Sequence, residues 1–235
     1  MTLTRAAAGV WHYIRRAPAT FCWLVILTIT TYIISRVNPA FRDHFLRQRS
    51  TNLHELGRNP IRVLVSSAMW IDGGGLWMYY LLYNLFHVPV ERMLGTARWF
   101  VVVVAAHVGA TYLSEGVVYW EVSHGYMSSR AIFTLDVGVS YALAGVQAVL
   151  AYLIVQPWCY LYAGLLLAFY GYNLVVGDTF TDLGHFTAVL IGFACFPLTR
   201  ITDYRWDPLA VYRWARARVR GHGAGRAEAG AKTPG

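Results

Sequence analysis

The chain has 235 residues, 57% hydrophobic and 14% charged, with a mean hydropathy of +0.41 and a formal net charge of +8. So apolar and charge-poor a composition excludes an ordinary soluble domain and indicates a membrane protein. The positive charge points to anionic lipid headgroups rather than nucleic acid, because eight of the twenty Lys and Arg follow the last apolar run, interleaved with Trp and Tyr.

Residues 1–16 read as a basic cytoplasmic N-terminus with three Arg. The stretches 17–35, 73–90, 99–114, 137–177 and 183–199 hold no Asp, Glu, Lys or Arg. A span needs about 20 mostly apolar residues to cross a hydrocarbon core of about 30 Å. The first run follows Arg15-Arg16, yet no small-x-small cleavage site comes after it, so a retained helix is expected rather than a secretory signal. The long first loop, roughly 36–72, mixes Arg36, Arg42, Arg47, Arg49 and Arg58 with Phe41, Phe45, Leu46, Leu53 and Leu56. That mixture predicts a partly helical segment in the interface, its arginines snorkelling to headgroups. The run 137–177 is long enough for two spans, and Gln156-Pro157 breaks it.

The expectation is therefore an all-α membrane protein with six transmembrane helices over 17–200. A basic cytoplasmic tail follows over 201–235, its "GHGAGRAEAGAKTPG" end low in complexity and disordered. Thirteen basic residues fall on the side of the termini and seven on the other, which puts both termini in the cytoplasm and the protein in the plasma membrane. Cys22, Cys159 and Cys195 lie inside spans and read as packing residues.

Chemistry concentrates in the fourth and sixth spans. Ser140 and His185 stand near the starts of two spans that run in the same direction, hence at similar depth. Ser140, Ala144 and Ala148 form one small-residue stripe, and Gly184, Ala188 and Gly192 form another, which lets the two helices approach closely. A histidine within reach of a serine hydroxyl is the usual base that activates it. The plainer alternatives are helix–helix glue for Ser140 and a structural bond for His185. Asp136 shares a face with Ser140, either as a third member orienting the histidine or as a helix N-cap. Asp182 reads as an N-cap, and Asp136, Asp178 and Asp182 all sit at span edges rather than deep in apolar helices. His107 is expected to make a buried hydrogen bond, and Arg62 to anchor the loop at the interface. No H-E-x-x-H is present, and neither internal symmetry nor rings of charge suggest a transporter or channel.

These residues resemble the rhomboid family of intramembrane serine proteases. Gly138-Val139-Ser140 matches the first three positions of that family's G-x-S-G on the fourth helix, and "GHFTAVLIG" (Gly184 to Gly192) resembles its sixth-helix histidine pattern. "NPIRVLVSSAMWIDGG" resembles the end of its first loop, and "VERMLGTARW" its turn into the third helix. The resemblance implies a six-helix rhomboid-like bundle and a candidate endopeptidase with Ser140 as nucleophile and His185 as base. Gly138, Tyr79, Asn84 and Asp136 are the supporting candidates, with no metal or organic cofactor. The expected partners are transmembrane segments of other proteins and membrane lipids. The chain departs from the family where H-x-x-x-N should stand on the second helix, which aligns with Gly75 and Tyr79. It departs again at Tyr141, where a glycine should follow the serine. A second register matches "YALAG" to the family's fourth helix and puts the serine position on Val137. The alternative is therefore a catalytically inactive rhomboid-like protein that binds or scaffolds transmembrane segments.

Overall fold

A computed structural model describes residues 3–71, 75–177, 179–202, 205–210, 212–214 and 216. Asp178 and the end of the basic tail, with its expected disorder, lie outside the described residues.

The described residues are mostly helical, and none of them forms a strand. Helix α1 (Leu3–Arg15) occupies the basic N-terminus and exposes Val10 and Trp11. Pro18 opens α2 (Pro18–Ser35), where proline's missing N–H is harmless. The first loop folds into α3 (Pro39–Arg49), α4 (Leu53–Arg58) and α5 (Pro60–Ser67). Each starts on an asparagine whose side-chain oxygen takes an early amide: Asn38 from Ala40, Asn52 from Glu55 and Asn59 from Arg62.

The next rod is α6 (Leu76–Leu82), one π-helical turn over Tyr83–His87, and α7 (Val88–Leu94). Gly95, with φ of 81°, makes the turn into α8 (Thr96–Ser123). After a short 3₁₀ turn at Ser129–Phe133 come α9 (Val139–Leu150), α10 (Trp158–Gly177) and α11 (Phe180–Ala194). The break between α9 and α10 contains Gln156-Pro157. Helices α2, α8 and α10 are long and apolar enough to cross a membrane, while Val139–Leu153 and α11 are apolar but shorter.

Helix α9 is the hub. All of its residues except Ser140 are buried, and it packs against α8 and α11. One core joins Trp23, Leu27, Tyr83, Val102, Val146 and Leu153. A second is built from small residues, including Ala106, Ala110, Ala144, Ala148 and Ala188. Helix α10 has no buried residue and forms an outer wall.

Glu91 ties the first helices together. Its buried carboxylate accepts from the Ala19 and Thr20 amides at 3.0 and 2.8 Å and from the Thr20 and Thr96 hydroxyls at 2.6 and 2.7 Å. The carboxylate thus serves the free N–H groups at the start of α2 from another helix.

Candidate functional site

Helices α9 and α11 pack together, and the α9 residue that meets His185 is Tyr141. Its ring stands edge-on to the imidazole, with centroids 5.0 Å apart and planes at 74°. The ring also fills the space over Gly184, where an added Cβ would lie 2.5 Å from Tyr141 Cζ and Oη. Tyr170 of α10 stacks on His185 with centroids 6.0 Å apart. Among the described residues the Ser140 hydroxyl makes one hydrogen bond, to the Val137 carbonyl at 3.4 Å, and none joins it to His185.

Helical geometry accounts for the difference. Successive residues are about 100° apart around the axis, so Ser140 and Tyr141 cannot both face the same neighbour. The residues one turn before Tyr141 on its own face are Val137 and Gly138. Ser140 stays half-buried at the edge, and Tyr141 joins Ala144, Ala148 and Ala188 in the core. Further along, an added Cβ on Gly192 would lie 2.3 Å from the Gly145 carbonyl oxygen, so the two backbones nearly touch.

Asp136 is bound to the first loop. Its amide donates to Ser50 Oγ at 2.6 Å, its carbonyl accepts from the Thr51 amide at 2.9 Å, and its carboxylate accepts from Thr51 Oγ1 at 3.0 Å. It does not cap α9, whose N-cap position is Gly138 with no side-chain cap bond. Burial pushes the Asp136 carboxyl up to about 6, against the opposing pull of the Thr51 hydrogen bond. The Tyr141 hydroxyl is buried and has no hydrogen-bond partner among the described residues.

Gly138 is where the His107 ring packs: an added Cβ would lie 1.7 Å from the imidazole. His107 Nε2 pairs with the Leu64 carbonyl at 2.9 Å and approaches Ser67 Oγ at 3.4 Å, so α5 is fastened to the middle of α8. Asn84 sits with different partners, accepting from the Tyr13 hydroxyl at 3.0 Å and donating to the Tyr80 carbonyl at 2.8 Å. Tyr79 lies 6.2 Å from the Tyr83 ring, centroid to centroid. None of these bonds brings Asn84 to Ser140 or His185. At the start of α11 the cap is Thr179 rather than Asp182: Thr179 Oγ1 accepts from the Asp182 amide at 3.1 Å and donates to the Asp182 carboxylate.

Sequence reasoning missed the aromatic block on α2, the π turn and α8. Trp99 Nε1 donates to His87 Nδ1 at 3.1 Å, His87 stacks on Tyr83 at 4.1 Å, and Trp23 stands edge-on to both. Its signal is the pair Tyr83 and His87, four apart in the run 73–90.

Comparison with known proteins gives one positive finding: a family model described as "Rhomboid-like protein" matches residues 12–204. No curated protein and no solved structure matches the chain.

Proposed function

The chain belongs to the rhomboid-like family, and from that premise we propose that it is a non-catalytic member that binds or scaffolds transmembrane segments of partner proteins. On this reading six spans cross the plasma membrane, namely α2, the α6–α7 rod, α8, α9, α10 and α11, with both termini in the cytoplasm. The observation that carries it is the contact of His185 with Tyr141 instead of Ser140. A serine hydroxyl without a base beside it is a weak nucleophile. Asn84 of the second helix is bonded to Tyr13 and Tyr80 instead, and loss of one oxyanion donor alone slows acyl transfer by about 10²–10³. Helix α10 offers a partner an apolar wall, with Leu161, Leu165, Phe169 and Val176 exposed on it.

The second reading, an intramembrane serine endopeptidase with Ser140 as nucleophile and His185 as base, has one observation in its favour. The start of α9 has no side-chain cap, so backbone N–H groups beside Ser140 are free to hold an oxyanion. A serine-reactive fluorophosphonate distinguishes the two. Wild type in detergent should take up no more label than Ser140→Ala or His185→Ala. Labelling of wild type that disappears in both variants would establish the protease and remove the scaffold reading.

A further inference from the structure

At the opposite end of the bundle from Ser140, a cleft of about 870 Å³ opens where α7 and α9 finish. Its volume falls in the range of about 300–1,000 Å³ that holds small-molecule ligands. Its wall is apolar: Leu85, Phe86 and Val88 from the second rod line it together with Leu150 at the end of α9, Ile154 just after it and Tyr162 of α10.

Its rim is cationic. Arg16 and Arg92 both line it and are exposed, and among the described residues neither makes an ion pair. The nearest acid in sequence, Glu91, is buried and spent on the start of α2. The rim is also built rather than loose. The Arg92 guanidinium lies 5.6 Å from the Tyr13 ring centroid, and the Tyr13 hydroxyl is fixed to Asn84. Trp206 is held at the mouth by backbone bonds, its carbonyl accepting from the Val155 amide at 3.0 Å and its amide donating to the Leu153 carbonyl at 2.6 Å. A cation lying over an aromatic face keeps its N–H groups free for an anion.

We propose that this cleft holds one anionic phospholipid, its phosphate between Arg16 and Arg92 and an acyl chain along Leu85, Phe86 and Val88. With the spans read as above, Arg16 precedes the start of α2 and Arg92 stands near the end of α7, so both guanidinium groups lie at headgroup level while the apolar wall runs into the hydrocarbon. Planar guanidinium forks pair with phosphate through two hydrogen bonds each. An unmodified transmembrane helix, which carries no anion at that depth, leaves the pair of arginines unused.

The test is native mass spectrometry of the full chain released from micelles carrying equal phosphatidylglycerol and phosphatidylcholine. Wild type should retain one phosphatidylglycerol. Arg16→Ala with Arg92→Ala should weaken retention by about tenfold or more, since each charge-assisted bond contributes on the order of a tenfold factor. Arg98→Ala with Arg130→Ala removes the same charge outside the cleft and should leave retention unchanged, and helical circular dichroism verifies that each variant folds. Equal retention of the two lipids, or equal loss in both double variants, overturns the proposal. Displacement of the lipid by millimolar glycerol phosphate also overturns it, because the site would then take a soluble phosphate.

Discussion

Tyr141 of α9 fills the space against α11, with its ring on Gly184 and His185 and its buried hydroxyl without a hydrogen-bond partner among the described residues. The sequence places Ser140 and His185 at comparable depth, and depth is legible because both lie just inside the starts of charge-free runs. Rotation about the helix axis is not legible in the same way: it depends on which residue of α9 the small residues of α11 admit, and a glycine at 184 admits a tyrosine ring. Asp136 teaches a similar lesson. Its position just before a helix suggests a cap, whereas its bonds run to Ser50 and Thr51, which are far away in sequence. A carboxyl raised from 3.8 to about 6 by burial holds its proton more tightly folded than unfolded. Its contribution is therefore full below about pH 4 and declines as pH rises through about 6. Asp136→Asn should flatten that part of the stability profile, read by unfolding in mixed micelles between pH 4 and 7. An unchanged slope would mean that Asp136 ionises freely in the folded protein.

Among the elements, the apolar runs were legible because length and hydropathy alone define them, and so was the break at Pro157, because proline removes a helical donor. Three features were not. Helix α1 is amphipathic and too polar for a span signal, the π turn at Tyr83–His87 has no residue signature, and the first loop divides into three helices through its Asn caps. The joint between α2, α7 and α8 depends on Glu91, which accepts four hydrogen bonds from Ala19, Thr20 and Thr96. Glu91→Ala strands the α2 amides and two hydroxyls in a buried place, so a loss of about 3 kcal/mol is expected in steric-trapping or detergent unfolding measurements. Glu91→Gln keeps an acceptor and should recover part of that loss. A loss of under about 0.5 kcal/mol in Glu91→Ala would show that the helices need no such joint.

For the molecule as a whole, the rhomboid-like assignment was legible from the His185 helix and the Glu91–Gly95 turn, and the family match over residues 12–204 agrees with it. The cleft at the far end escaped notice because its walls come from α1, the second rod, the end of α9, α10 and the chain after α11, five segments separated in sequence. Ile154 at its floor is only 5% exposed. A cysteine introduced at Ile154 should react slowly with a maleimide in the full chain. It should react about tenfold faster when the chain stops after Thr202, because Trp206 then no longer covers it. Equal rates would mean that the C-terminal segment does not close this face.

The backbone pairing of Trp206 with Leu153 and Val155 also orders events during synthesis. Helices α8, α9 and α11 can pack once α11 has left the ribosome, yet the wall at Trp206 still has to emerge and find its place beside residues made much earlier. The cleft is therefore open to the bilayer until Trp206 has emerged, and whatever occupies it has its easiest entry before that residue arrives.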